Sequence, residues 1–180
     1  MRSLFHIIPN AFDEAAIEAI FALAATSPAQ DGTVFSTATD AATIRSSTIS
    51  WLTDEALKAT LWGHVTAANE AYFNVDVTDQ ADMQFTSYHA TAGGHYDWHH
   101  DVHFSSQEAV DRKLSLTIQL SDEASYEGGD FEFEEVKTSA NLKAKGSLLI
   151  FPSYLRHKVA PVTKGTRHSL VAWFAGPRWR

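Results

Sequence analysis

The densest chemistry in the chain is the run Gly93-Gly94-His95-Tyr96-Asp97-Trp98-His99-His100-Asp101-Val102-His103. In an extended strand side chains alternate between faces, so His95, Asp97, His99, Asp101 and His103 are expected to point the same way. Two imidazole–carboxylate pairs at i and i+2 therefore compete as metal ligands: His95 with Asp97, and His99 with Asp101. The chain has no cysteine. Disulfides, iron–sulfur clusters and thiolate-bound zinc are thereby excluded, and any metal site must be built from His, Asp and Glu.

One short strand cannot surround an ion, so a third ligand has to come from elsewhere. His157 is placed for it, after the apolar run Leu148-Leu149-Ile150-Phe151 and before Lys158-Val159, at the rim of a strand-rich half. Two histidines and one carboxylate on one face of an octahedron leave three positions open, the arrangement of non-haem iron oxygenases. Against this, nine histidines in 180 residues produce close pairs by chance, and an isolated H-x-D is a weak signal.

Elements must bring these residues together. Ala16, Ile17, Ile20, Phe21 and Ala24 recur at helical spacing from Asp13 to about Ala25, with Asp13 and Glu14 favouring the helix start. A second helix is expected from Thr53, before Asp54 and Glu55, to about Tyr72, with Leu57, Leu61, Val65 and Ala68 on one side. The polar stretch Ser27 to Thr43 reads as a loop with a short strand at Thr33 to Ser36, placed so that it could act as a lid. From Phe73 onward Gly, Pro, Asn and Asp cut the chain into short runs: Met83–Tyr88, Lys113–Leu120, Phe131–Glu135, Leu148–Phe151 and Ser169–Phe174. Two helices and roughly eight strands predict a mainly β (α+β) domain, a double-sheet barrel with N-terminal helices on one outer face. The length fits a single domain over 1–180, helical to about 72 and β from about 73 to 176.

Several segments taken together, in order and spacing, resemble the prolyl 4-hydroxylase-like family of 2-oxoglutarate- and iron(II)-dependent dioxygenases. They are Gly94 to Asp101, Arg112 to Thr117, Leu120-Ser121-Asp122, Tyr126 to Asp130, Gly146 to Pro152 and His157 to Arg167. The likeness covers about Met83 to Trp173, with a weaker match at Arg45 to Leu52. It implies a double-stranded β-helix (jelly-roll) core, and it selects His99, Asp101 and His157 as metal ligands and catalytic centre. Arg167, ten residues after His157, falls where the family grips the distal carboxylate of 2-oxoglutarate, a task suited to a planar, permanently charged guanidinium. Ser169 shares its face. Thr117 and Gln119 lie on the polar face of their strand, Gln119 standing where several relatives carry a tyrosine, and Tyr88 is expected to line the same pocket.

The implied reaction hydroxylates an unactivated C–H bond, first of a protein or peptide side chain, with iron(II), 2-oxoglutarate and dioxygen, release of succinate and CO2, and ascorbate as a candidate reductant. A free amino acid or other small molecule is the alternative substrate, and a cupin-like metal enzyme without 2-oxoglutarate, or a module with a closed structural zinc, the alternative proteins. Trp98, Phe151 and Trp173 read as core or pocket wall, Arg45 equally as surface or opening, and His95, Asp97, His100 and His103 receive no role. With 14 basic against 22 acidic side chains and no Lys/Arg block, nucleic-acid binding is disfavoured. No apolar stretch reaches membrane-spanning length, which sets a cytoplasmic protein as the expectation.

Overall fold

The computed structural model describes residues 3–32, 44–137 and 141–180. In chain order its elements are β1 (His6–Ile8), α1 (Glu14–Thr26), β2 (Ala29–Asp31), β3 (Arg45–Ser46), β4 (Thr48–Leu52) and α2 (Glu55–Ala68). There follow β5 (Ala81–His89), β6 (His95–His99), β7 (Val110–Gln119), β8 (Tyr126–Gly128), β9 (Phe131–Phe133), β10 (Leu148–Pro152), β11 (His157–Val159) and β12 (Val162–Pro177). A wide π turn, Asn69–Phe73, extends α2, and Asn74 ends it in the left-handed region at φ 53°. Asp13 caps α1 by accepting from the Ala16 N–H, and α2 is capped in the same way by Asp54 rather than by Thr53.

Two antiparallel sheets form. The larger runs β1-β10-β7-β12-β5-β4-β2 with β8 on β12, and the smaller runs β3-β6-β11-β9. Alternation along the central strands separates their two environments. Leu114, Leu116 and Ile118 of β7 and Leu170, Ala172 and Phe174 of β12 pack with Ile17, Ile20, Leu57, Leu61 and Val65 of the helices into the main core. The intervening residues Ser115, Thr117, Gln119, Arg167, Ser169 and Trp173 are also buried, on the other face. That polar face looks toward the smaller sheet.

The helical reading of residues before 72 is corrected: β1, β2, β3 and β4 arise there and join both sheets. These strands are two to five residues long, too short to show a period, and long-range pairing creates them. Ala29–Asp31 is strand rather than loop, paired to β4. The strand expected at Thr33–Ser36 and the rest of the suggested lid lie outside the described residues. Among the described residues no helix is long and apolar enough to cross a membrane.

Candidate active site

A β-bulge decides which histidine faces inward. Between the pairs His157↔His99 and Val159↔Tyr96, β11 advances two residues while β6 advances three. Alternation therefore breaks at Asp97-Trp98, and Tyr96 and His99 line the same cavity. The expectation of one shared face from His95 to His103 fails for this reason. His95 and Asp97 instead satisfy local groups, His95 Nδ1 donating to the Gly93 carbonyl and Asp97 Oδ1 accepting from the Trp98 N–H. Gly94 makes the entry to β6 possible, since a Cβ there would lie 2.6 Å from the His89 nitrogen.

His99, Asp101 and His157 converge from β6, the segment after it, and β11, their ligand atoms all within 4.8 Å of one another. Asp101 sits between the imidazoles, Oδ1 3.7 Å from His99 Nε2 and Oδ2 3.5 Å from His157 Nε2. Each ring donates its Nδ1–H to a carbonyl two residues back, His99 to Asp97 at 2.7 Å and His157 to Leu155 at 2.9 Å. Both Nε2 atoms consequently keep a free lone pair, the tautomer a metal requires. Burial first, and then the neighbouring His157, lower the His99 pKa to about 3, so this ring is neutral at physiological pH. Burial alone would raise the Asp101 carboxyl, but the two histidines, the Ser115 hydroxyl and Arg112 outweigh it and hold the group below its ordinary value. Two imidazoles and one carboxylate fit a divalent iron in donor type and spacing.

The carboxylate is itself held. Ser115 Oγ donates to Asp101 Oδ2 at 2.6 Å and meets Ser153 Oγ at 2.9 Å, so Ser153 donates to Ser115 in turn. The Asp101 N–H donates to the Ser153 carbonyl at 3.0 Å. Ser115→Ala is expected to weaken metal binding by about 10- to 100-fold, measured by calorimetry with zinc or iron(II); unchanged affinity would remove Ser115 from the account.

The triad lines a narrow cavity between the two sheets. Arg45, Tyr96, Phe131 and Val159 border it from the smaller sheet, and Gln84, Tyr88, Thr117, Phe151, Arg167 and Trp173 from the larger. Arg167 is 2% exposed. Its Nη1 lies 3.3 Å from Ser169 Oγ and its guanidinium lies over the Tyr88 ring, and among the described residues no carboxylate lies within ion-pair distance of it. Gly129, at φ 63°, leaves room for this side chain, since a Cβ would stand 3.0 Å from Arg167 Cδ. Thr117 borders both this cavity and a smaller neighbour that also holds Gln119 and Arg167. Gln119 Nε2 donates to the Tyr126 hydroxyl at 2.7 Å.

Other expectations change. Arg45 is buried rather than on the surface, bonded to Gln84 at 2.7 Å, with its guanidinium 4.6 Å from the Tyr96 ring centre. Tyr96 stacks on His99 at 3.4 Å and 10°. Trp98 lies under Lys158 and is not among the cavity residues, unlike Phe151 and Trp173. His100 donates to the Tyr154 carbonyl and His103 meets Ser105, both outside the cavity.

Protonation acts on this site with a definite sign. His99 has a folded pKa near 3 against an unfolded 6.5, and His168, buried beside His89 and Arg167, one near 4. The unfolded chain takes up these protons first, so stability is complete above pH 6.5 and falls as pH drops toward 3 to 4. For His99 the slope approaches about 1.4 kcal/mol per pH unit. Denaturant unfolding of metal-free protein from pH 7 to pH 4 checks this; a flat profile contradicts it.

A polar stripe bearing an open three-residue metal set beside a buried guanidinium defines a metal-dependent oxygenase type of site. The family model of the 2OG-Fe(II) oxygenase superfamily matches residues 83–175, and the chain belongs to that superfamily. It is 42% identical over 81 residues to a PKHD-type hydroxylase of Synechococcus sp. (strain CC9311), covering 44% of this chain and 36% of that one. It is also 42% identical over 84 residues to one from Parvibaculum lavamentivorans, covering 46% and 37%. The aligned part thus spans little over a third of these curated relatives. In structure it resembles a Pseudomonas putida prolyl-4-hydroxylase, with TM-score 0.72, 19% identity and coverage of 98% and 94%. A Trichoplax adhaerens prolyl hydroxylase solved with a hypoxia inducible factor peptide fragment gives TM-score 0.73, 17% identity and coverage of 95% and 83%. At these identities the likeness establishes the fold.

Proposed function

We propose that this chain is an iron(II)- and 2-oxoglutarate-dependent dioxygenase that hydroxylates an unactivated C–H bond of a protein or peptide side chain. The observation that carries the reading is one cavity holding both the His99–Asp101–His157 set and a buried Arg167 with no carboxylate partner among the described residues. In this reading the two sheets form a double-stranded β-helix, and residues 1–180 a single domain. Superfamily membership and the hydroxylase relatives support the reaction class, and the peptide complex of a fold neighbour supports the substrate class.

His99, Asp101 and His157 hold iron(II), with Ser115 and Ser153 fixing the carboxylate. Arg167 receives the distal carboxylate of 2-oxoglutarate in a bidentate grip, with Ser169 and Thr117 beside it and Tyr88 as the wall under the guanidinium. Gln119, bonded to Tyr126, borders the smaller cavity beside Arg167 and Thr117. When bound, iron(II) with 2-oxoglutarate and dioxygen supplies the oxidation, one oxygen atom passing to the substrate carbon and the other to succinate as CO2 leaves. Phe131, Phe151, Tyr96 and Val159 exclude water from the reacting centre. Ascorbate enters only as an external reductant.

The test is succinate formation by purified protein with iron(II) and 2-oxoglutarate, alone and with proline-containing peptides, followed by a mass search for one added oxygen. Slow succinate without peptide and faster with it is expected. No succinate above the metal-free control under either condition refutes the reading.

A further inference from the structure

Three successive carbonyls in the turn between β10 and β11 accept hydrogen bonds from the metal set or its immediate neighbour. Ser153 takes the Asp101 N–H at 3.0 Å, Tyr154 takes the His100 Nδ1–H at 2.7 Å, and Leu155 takes the His157 Nδ1–H at 2.9 Å. The position of this turn therefore sets where Asp101 and His157 point. From within, the turn is anchored by the buried side chains of Ser153 and Leu155, and the Leu155 N–H closes it on the Pro152 carbonyl at 2.9 Å. Tyr154, between them, faces outward and is 41% exposed.

The outward side is held by Trp179, which meets the Tyr154 ring edge-on at 5.1 Å. Trp179 does not line the cavity, yet it is fixed on three sides. Its backbone N–H donates to Asp111 Oδ2 at 2.7 Å, its indole Nε1–H donates to the Arg112 carbonyl at 3.1 Å, and the Lys113 ammonium lies 3.6 Å from the ring centre. Lys113 is buried, and its Nζ donates to the Pro177 carbonyl at 2.9 Å. A carbonyl and an indole face thus compensate its buried charge. The Lys113 carbonyl accepts in turn from the Ser153 N–H at 3.0 Å, so residues 177–179, the start of β7 and the turn are locked together.

We propose that Trp179 is a positioning residue for the metal site: packed between Lys113 and Tyr154, it holds residues 153–155 in the place where Asp101 and His157 converge. It touches no metal ligand and acts through Tyr154. This rests on the reading of His99, Asp101 and His157 as metal ligands.

The test is zinc binding by calorimetry, without co-substrate, on the wild type and on Trp179→Ala, Tyr154→Ala, the double variant and Trp179→Phe. Groups that orient a metal ligand are worth about 10- to 100-fold in affinity. Trp179 stands one contact further out, so Trp179→Ala is expected to weaken zinc binding about tenfold. Tyr154→Ala should match it, and the double variant should bind no more weakly than either, because both changes cut the same contact. Trp179→Phe keeps a ring between Lys113 and Tyr154 and should recover most of the affinity. The visible bands of bound cobalt(II), which report the geometry around the ion, should shift in Trp179→Ala and return in Trp179→Phe. Trp62→Ala removes the Trp62–Phe174 stack on the helix side of the larger sheet; it controls for lost stability alone and should bind zinc as the wild type does.

Unchanged zinc affinity and cobalt bands in Trp179→Ala overturn the proposal. So does equal weakening in Trp62→Ala, or additive losses in the double variant, which would make the two rings independent. Tyr154→Ala, at an exposed site, carries the same test if Trp179→Ala does not fold. A wild type that takes up no zinc removes the metal reading and this proposal with it, whereas wild-type binding with unmoved variants removes the role of Trp179 alone.

Discussion

Asp101→Ala abolishes iron(II) binding and all 2-oxoglutarate turnover. Asp101 is the one carboxylate of the triad, 3.7 Å and 3.5 Å from the two Nε2 atoms, and its removal leaves two imidazoles to hold a divalent ion. Loss of a partner that merely orients a ligand costs about 10- to 100-fold in affinity, so loss of the anionic ligand itself is expected to exceed 100-fold. The Ser115 hydroxyl, which now donates to the carboxylate at 2.6 Å, is left without that acceptor at a cost of about 1–3 kcal/mol. Melting curves separate a metal defect from unfolding. Zinc raises the melting temperature of the wild type by mass action and leaves that of Asp101→Ala unchanged. A variant that still binds iron with near-native affinity would place the metal elsewhere.

Arg167→Leu removes the second pillar. The guanidinium is buried, touches Ser169, Tyr88 and Tyr126, and has no carboxylate within ion-pair distance among the described residues. Truncating one member of a buried charge pair costs about 2–5 kcal/mol, which is about 30-fold to a few thousandfold in the Kd for 2-oxoglutarate. Arg167→Lys retains the charge but loses the bidentate fork and falls between. Metal affinity without 2-oxoglutarate should stay near native in both variants, since Arg167 touches none of the three ligands. Unchanged 2-oxoglutarate affinity in Arg167→Leu would favour a metal enzyme that uses a different co-substrate.

The long central strands were legible in the sequence because their two faces differ in chemistry. Leu114, Leu116 and Ile118 alternate with Ser115, Thr117 and Gln119, and the structure puts the first set against the helices and the second on the cavity side. The short strands at His6, Ala29, Arg45 and Thr48 carry no period and exist through their partners in the sheets. The second helix starts one residue later than expected because Asp54 rather than Thr53 reaches the Leu57 N–H. In the site, type and spacing show His157 and two competing pairs, and the family resemblance selects His99 with Asp101 and points to Arg167, while their supports do not stand out. Ser115 was visible as part of a polar strand face, yet its bond to Asp101 spans 14 residues and follows only from the meeting of two sheets. The bulge that turns Tyr96 and His99 to one side depends on β11, and local alternation pointed elsewhere. Arg45 reads equally as surface or opening because nothing nearby in sequence reveals Gln84, 39 residues on, as its partner. Trp173 was readable as an aromatic wall.

The most direct test of the central claim, that one cavity holds iron(II) and 2-oxoglutarate together, is an anaerobic titration followed by visible absorption. One iron per chain is expected, with a weak charge-transfer band that develops only when both iron(II) and 2-oxoglutarate are present and that is missing from Asp101→Ala. Iron that binds without any band on addition of saturating 2-oxoglutarate, or a band that persists in Asp101→Ala, would contradict it.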